Sequence, residues 1–146
     1  MQKTIQNIYK VLALINLLAM GAAAYLLHVH YAPSASSVCN ISDKLNCEIV
    51  NKSIYSQLFG IPVSLLGLLA YTLLFIFSVR GIHKDQKKWI PWAFLFASFC
   101  LAFALYLTGI EAFVLKAYCI FCLFQQVLIL LEWALLFKLK SLTRSS

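Results

Sequence analysis

The sequence predicts an all-α integral membrane protein: a four-helix bundle with an extracytoplasmic, cysteine-bearing loop between its first two helices. Two observations predict this fold. First, 62% of the 146 residues are apolar and only 12% are charged, whereas about 25% are charged in a typical soluble domain. Second, long apolar runs recur four times along the chain. We expect one domain over residues 1–146, because no polar stretch is long enough for a second domain of about 50 residues.

The four apolar runs cover about residues 8–31, 54–79, 90–110 and 118–137. Each run has roughly 20 residues or more, enough for a helix to cross a hydrocarbon core of about 30 Å. Inside a bilayer the backbone must satisfy its own hydrogen bonds, so the runs are predicted to be helices. A cleaved signal peptide is the alternative for the first run, but this run exceeds the usual apolar region of about 7–15 residues.

The basic residues indicate how the chain is oriented in a membrane. Nine of the twelve Lys and Arg residues lie near the two termini or between the second and third runs. The positive-inside rule therefore predicts a multi-pass protein of the plasma (inner) membrane with both termini in the cytoplasm. Because these basic residues are separated by apolar runs rather than gathered on one face, the net charge of +7 does not predict nucleic-acid binding.

Four of the five cysteines form two close pairs, and the predicted topology puts both pairs on the extracytoplasmic side. Cys119 and Cys122 form a Cys-x-x-Cys motif at the start of the fourth run. Positions i and i+3 share one face of a helix, and the positive helix N-terminus favours a reactive thiolate. A structural disulfide or half of a metal site is the alternative. Cys100, in the middle of the third run, is predicted to be a small buried apolar residue.

Cys39 and Cys47 enclose a polar loop that could carry a thiol between two partners. Two pairs on one face allow disulfide exchange within the chain, and the final acceptor should then be membrane-soluble, as a quinone is. A loop-bracing disulfide is the alternative for this pair, and the eight-residue separation argues against a zinc site. Four aromatic residues could line an apolar quinone pocket, although helix packing or lipid contact would also explain each one: Phe59, Phe113, Phe121 and Phe124.

These motifs together resemble the vitamin K epoxide reductase family in its bacterial branch, and the resemblance covers nearly the whole chain. It is carried by the two cysteine pairs, by Ser53 six residues after Cys47, and by the segment Phe59–Gly67 with its Gly-Ile-Pro sequence. The resemblance implies a four-helix bundle around a quinone, either ubiquinone or menaquinone, with the first loop covering the pocket. No metal is expected.

The resemblance also implies a role for each cysteine. Cys122 would react with the quinone, Cys119 would exchange with Cys47, and Cys39 would face a thioredoxin-like or DsbA-like thiol protein. Ser53 would donate a hydrogen bond near the quinone, or alternatively cap the second helix, since Ser is a favoured N-cap residue. The implied activity is that of a membrane thiol:quinone oxidoreductase supporting disulfide bond formation.

Two departures from the family pattern refine this expectation. Many bacterial relatives carry a fused thioredoxin-like domain, and this chain has none, so the partner is expected to be a separate protein. Vertebrate relatives carry a tyrosine four residues after the second cysteine of the helix pair, where this chain has Gln126. No equivalent of their pocket asparagine can be assigned. Plain quinone reduction is therefore expected rather than reduction of vitamin K epoxide.

Two other interpretations remain at this stage. DsbB-like oxidoreductases perform the same chemistry with four helices, but they carry the Cys-x-x-Cys in the first outer loop, the reverse of the order here. A non-catalytic membrane subunit braced by structural disulfides is the alternative from another class. Glu132, inside the fourth run, is expected to reach the membrane interface or pair with Lys138.

Overall fold

A computed structural model describes residues 1–33, 38–84 and 87–145 of the chain. Most of this part is helical, and its only sheet is a small antiparallel hairpin. Short 3₁₀ turns precede the hairpin at Ile54–Ser56 and α4 at Lys87–Trp89, and a π-helical segment, Glu111–Leu115, continues α4. In chain order the helices and strands are α1 (Gln2–Tyr31), α2 (Cys47–Asn51), β1 (Gln57–Leu58), β2 (Ile61–Pro62), α3 (Val63–His83), α4 (Ile90–Ile110) and α5 (Ile120–Arg144).

Four helical stretches are long and apolar enough to cross a membrane: α1, α3, α4 with its flanking turns, and α5. The predicted all-α, four-helix membrane architecture is thereby confirmed. α4 has the bounds expected for the third run. α1 and α5 extend past the expected 8–31 and 118–137 at the ends carrying basic residues, because apolar composition marks the span in lipid and not the end of the helix.

The second membrane helix begins later than its apolar run. The expected start near Ile54 is wrong, because α3 begins at Val63 and a hairpin occupies the preceding residues. At the hairpin turn Phe59 and Gly60 adopt φ values of 53° and 80°. This left-handed conformation is incompatible with a continuing right-handed helix. Apolar composition alone does not distinguish such a hairpin from another turn of helix.

The helices form a ring in which one contact is weak. α1 packs along α3 and also against α5, and α5 packs against α4, whereas few contacts join α3 to α4. One buried cluster contains Tyr9, Ile90 and Leu139 and closes the end of the bundle that holds both chain termini, here called the terminal end. Another contains Cys39, Cys47 and Cys119 and lies at the opposite end, the cysteine end.

A buried polar pair joins α1 to α5 inside the apolar bundle. Asn16 donates a hydrogen bond from Nδ2 to Glu132 Oε1 at 2.9 Å, and Glu132 is 1% exposed. The expectation that Glu132 reaches the interface or pairs with Lys138 is therefore wrong. The side chain points into the bundle, where an amide on the facing helix offers the partner that lipid cannot supply.

α1 and α3 approach closely where Gly81 faces Tyr9. A Cβ atom at Gly81 would overlap the Tyr9 ring, whereas a Cβ at Gly21 in α1 would have no atom within 4 Å. Tyr9 is buried and belongs to the cluster at the terminal end. Because Gly81 has no side chain, the Tyr9 ring can pack directly against the α3 backbone.

We predict that Gly81→Ala lowers the free energy of unfolding by about 1–3 kcal/mol, the usual cost of overpacking a core. Thermal unfolding of the purified protein in detergent micelles measures the change. Gly21→Ala is the matched control, because it adds the same methyl group in open space. Equal melting temperatures for the two variants would contradict the packing described here.

Candidate redox site

The cysteine loop is attached to the chain just before α5 by backbone hydrogen bonds. Leu45 and Tyr118 form a parallel bridge, in which Asn46 N donates to Tyr118 O at 3.0 Å and Tyr118 N donates to Lys44 O at 2.6 Å. Residues far apart in the sequence are thus held one strand spacing apart. Cys47 and Cys119 each follow the bridge closely, so their side chains are brought to the same place.

Cys39 and Cys47 are joined by a disulfide with a Cα–Cα distance of 5.8 Å, within the usual range for such bonds. Cys47 is the first residue of α2. Asn46 caps this short helix, because its side-chain oxygen accepts from the backbone N–H groups of Glu48 and Ile49 at 3.0 and 3.1 Å. The cap fixes where α2 begins and therefore where the Cys47 sulfur lies.

Cys119 occupies the N-cap position of α5, and its Sγ lies 3.0 Å from Cys47 Sγ. The sulfurs of Cys39, Cys47 and Cys119 all lie within 4.8 Å of one another. Cys119 and Cys47 are both fully buried. A free thiol in contact with one sulfur of a disulfide is the arrangement required for thiol–disulfide exchange.

The surroundings of Cys119 also lower the pKa of its thiol. A hydrogen bond from the Cys122 thiol lowers the pKa of Cys119, backbone N–H groups of the first turn of α5 lower it further, and burial opposes them. Asn51 Nδ2 lies 3.7 Å from Cys119 Sγ while it donates to Cys47 O at 2.9 Å. A thiol with a lowered pKa is ionised more readily and also leaves a mixed disulfide more readily.

Cys122 lies one turn further along α5 and lines a cavity of about 500 Å³. This volume is in the range of small-molecule sites, roughly 300–1,000 Å³. α3, α4 and α5 supply most of its walls, which are mainly aliphatic and aromatic. The cavity occupies the space left where α3 and α4 make few contacts. The second cysteine pair therefore connects the buried sulfurs to an apolar chamber between membrane helices.

Only part of the expected pocket lines this cavity. Ser53 lines it, and its Oγ donates to Val50 O at 2.8 Å. Ser53 does not cap the second membrane helix, because that helix begins at Val63. Four aromatic residues expected at the pocket are absent from its lining: Phe59, Phe113, Phe121 and Phe124.

Each of these four side chains points away from the cavity, which explains why none of them lines it. Phe59 at the hairpin turn and Phe113 in the π-helical segment are 96% and 83% exposed. Phe121 faces α1, where its ring lies 4.8 Å from that of Tyr25. The cavity-facing side of α5 is formed by residues 122, 125 and 126. Phe124 lies one turn from Phe121, on a different side of the helix from those three residues, and also points away from the cavity.

The cavity lining also includes polar residues that the sequence interpretation did not assign to the pocket, among them Asn51, Glu111 and Gln126. Gln126 Nε2 is buried and has no hydrogen-bond partner within the described part of the chain. Its Oε1 accepts from Thr108 Oγ1 at 3.3 Å. A signal for Glu111 existed in the sequence, since an acid at the end of an apolar run marks a functional site by default. No comparable signal pointed to Asn51.

The family model described as the vitamin K epoxide reductase family matches residues 10–137. The chain belongs to this family. No curated protein matches the chain. The matched range includes all of α3 and α4, most of α1 and α5, and both cysteine pairs, so the resemblance noted from the motifs is confirmed over most of the chain.

Family membership and geometry together describe a membrane thiol oxidoreductase with a redox-active cysteine centre. The three clustered sulfurs could resemble a metal site, but two of them are joined in a disulfide and are not thiolates in this state. The vitamin K epoxide reductase fold here holds an oxidised loop pair beside two free cysteines, Cys119 and Cys122. This is one of the two states that disulfide exchange between the pairs would connect.

We predict that Cys122→Ala promotes a disulfide between Cys47 and Cys119. In the wild type, ionised Cys119 stabilises the state with the Cys39–Cys47 disulfide, and this stabilisation is lost as the pH falls through the lowered pKa of Cys119. Removal of the Cys122 thiol raises the pKa of Cys119, so the Cys39–Cys47 disulfide loses this stabilisation at a higher pH than in the wild type. Acid quenching, alkylation and peptide mass spectrometry at a series of pH values measure the two disulfides.

Cys122→Ser is the matched control, because it also prevents a Cys119–Cys122 disulfide but retains a hydroxyl that can donate to Cys119. The Cys47–Cys119 disulfide should begin to accumulate at a higher pH in the alanine variant than in the serine variant. Cys100→Ala should leave the disulfide pattern unchanged. If neither Cys122 variant forms the Cys47–Cys119 disulfide at any pH, exchange between the pairs does not occur.

Proposed function

We propose that this protein is a thiol:quinone oxidoreductase that reoxidises a separate thioredoxin-like or DsbA-like protein and thereby supports disulfide bond formation. Partner dithiols become a disulfide, and a membrane quinone, ubiquinone or menaquinone, becomes the quinol. The observation that carries the proposal is the 3.0 Å contact between Cys119 Sγ and Cys47 Sγ, combined with the position of Cys122 in an apolar cavity between membrane helices.

The contact supports a relay in which each step conserves electrons. A partner thiolate attacks the Cys39–Cys47 disulfide, and the second partner thiol then releases the partner in oxidised form. The reduced loop pair next exchanges with a Cys119–Cys122 disulfide through a Cys47–Cys119 intermediate. Cys39 resolves this intermediate, and Cys119 is the leaving group, which its lowered pKa favours. The described structure corresponds to the product of this exchange, with electrons on the helix pair.

The chemistry of the cavity supports a quinone as the final acceptor. A quinone ring is apolar on both faces and carries two carbonyl oxygens at its edges. Mainly apolar walls suit the faces, and Gln126 Nε2, which has no partner among the described residues, suits a carbonyl as a hydrogen-bond donor. Ser53 provides a hydroxyl on the same cavity. Formation of the Cys119–Cys122 disulfide would supply the two electrons that the quinone takes up.

The basic residues support an extracytoplasmic location for the cysteine end. Lys3, Lys10 and Arg144 belong to α1 and α5 at the terminal end, and Arg80 and Lys84 lie where α3 ends. The positive-inside rule assigns this end to the cytoplasm. The cysteine end would then face the oxidising compartment, in which disulfides form and persist.

We predict that the purified protein in lipid nanodiscs oxidises a reduced DsbA-like protein only when a short-chain ubiquinone or menaquinone is present. Loss of partner thiols and reduction of the quinone, followed by absorbance, should occur in a one-to-one ratio of dithiol to quinone. Cys122→Ser should abolish quinone reduction, because the helix pair can then no longer form a disulfide.

The same Cys122→Ser variant should still form a mixed disulfide with the partner through the loop pair. Partner binding is thereby separated from quinone reduction. A quinone-reduction rate in Cys122→Ser equal to the wild-type rate would contradict the proposed electron path. A protein that oxidises no dithiol with either quinone would instead be a structural subunit.

We also predict that an impermeant maleimide added to intact cells labels a cysteine introduced at Asp43, an exposed residue of the cysteine loop, and not a cysteine introduced at Ser141. Ser141 lies near the end of α5, at the terminal end of the bundle. The cysteine at position 141 should be labelled only after the membrane is permeabilised. Labelling of both positions, or of position 141 alone, in intact cells would contradict the proposed orientation.

A further inference from the structure

Glu111 is a buried acid directly beside the helix cysteines. It lies where α4 passes into the π-helical segment, is 4% exposed, and lines the cavity. Its Oε2 accepts a hydrogen bond from Cys119 N at 3.2 Å, and its carboxyl and Cys119 Sγ are alternative acceptors for the one thiol proton of Cys122. One carboxyl group therefore contacts both members of the Cys-x-x-Cys motif and the chamber beyond it.

The cost of burying this acid indicates that it does more than join two segments. The interactions of Glu111 within the described residues are these hydrogen bonds, and no cation accompanies them. A carboxylate without a cation is expensive in an apolar environment, and a glutamine at this position could accept the same bond from Cys119 N. A π-helical segment also interrupts a regular helix, frequently at a functional site. A carboxyl that gains and loses a proton therefore explains this position better than a permanently neutral side chain such as glutamine.

The reaction at this site needs such a group. Conversion of the Cys119 and Cys122 thiols to a disulfide releases two electrons and two protons, and conversion of a quinone to a quinol consumes both. Cys119 is fully buried and Cys122 lines a mainly apolar cavity, so a carboxyl fixed beside the thiol has an advantage over bulk water as the carrier of the Cys122 proton. A carboxyl within hydrogen-bond reach of the thiol meets the geometric requirement for a general acid–base.

We propose that Glu111 carries a proton from the helix dithiol to the quinone, an inference that rests on the function proposed above. The Glu111 carboxylate accepts the thiol proton of Cys122 while that sulfur is being oxidised, and the resulting acid gives the proton to a quinone oxygen. The Cys119–Cys122 bond forms, the quinone gains two electrons, and its second proton comes from solvent to replace the one lost on ionisation of Cys119. Glu111 ends the cycle as a carboxylate.

Few other titratable groups face Glu111. Cys119 and Cys122 on α5 are its hydrogen-bonding partners. On the loop side, Cys47 of α2 is in a disulfide and does not titrate in this state. Tyr55 and Tyr71 line other parts of the same cavity. A pH dependence that disappears on substitution of Glu111 alone can therefore be assigned to the carboxyl.

The test is single-turnover reduction of a short-chain ubiquinone by the full-length protein in nanodiscs, after reduction of its cysteine pairs. Glu111→Gln should slow this step about 100-fold, the lower end of the usual contribution of general acid–base catalysis, and should remove the limb of the pH–rate profile assigned to the carboxyl. The glutamine oxygen can still accept from Cys119 N. Exchange between Cys47 and Cys119, measured in a Cys122→Ala background, should therefore persist, with its onset moved to lower pH because the Glu111 carboxylate raises the pKa of Cys119.

Two further variants make the outcome decisive. Glu111→Asp keeps a carboxyl and should recover part of the rate together with the pH limb. Glu132→Gln, at the other buried acid, removes a carboxyl whose hydrogen bond goes to Asn16, and should leave the rate unchanged. A wild-type rate in Glu111→Gln, or equal losses in exchange and quinone reduction, would overturn the role of Glu111. Failure of the wild type to reduce quinone would instead overturn the proposed function itself.

Discussion

The site depends on the short backbone bridge between the cysteine loop and the strand-like segment before α5. Cys47 and Cys119 are 72 residues apart in the sequence, so local structure at either cysteine does not by itself bring the two sulfurs together. The hydrogen bonds at Tyr118 fix both segments at once. Because backbone groups make these bonds, many side-chain sequences on the loop could preserve the contact. Backbone pairing thus sets the distance between the Cys47 and Cys119 sulfurs, and the surrounding side chains tune the reactivity of the thiols.

Polar groups within the bundle are distributed unevenly along its length. The Asn16 amide and the Glu132 carboxyl share one hydrogen bond between α1 and α5, and Asn16 Oδ1 and Glu132 Oε2 have no partner among the described residues. Asn51, Glu111 and Gln126 instead gather around the cavity near the sulfurs. The first pair joins two helices, whereas the second group surrounds a chamber whose volume is in the range of small-molecule sites. Both groups contain buried polar residues, so burial does not distinguish a polar pair that joins helices from polar residues that line a site. The cavity beside the second group makes that distinction.

The sequence was sufficient to predict the elements whose physics is local or averaged over many residues. Four apolar runs predicted four membrane helices, and the Cys-x-x-Cys spacing predicted thiols at the start of a helix. The start of α3 was missed because the turn at Phe59 and Gly60 depends on backbone conformation, which apolar composition does not report. The aromatic lining was missed because the rotation of α5 decides whether Cys122 or Phe121 faces the cavity, and contacts with α1 set that rotation.

The sparse contact between α3 and α4 has a consequence for how a lipid-soluble molecule reaches the sulfurs. A chamber of about 500 Å³ would be too small for a quinone with a long isoprenoid chain if the whole molecule had to be enclosed. Where two neighbouring helices are splayed, only the ring has to be accommodated, and the isoprenoid chain can remain among the acyl chains outside. An opening of this kind faces sideways into the bilayer, so the proposed quinone oxidant would arrive by diffusion within the membrane plane, without any passage through water.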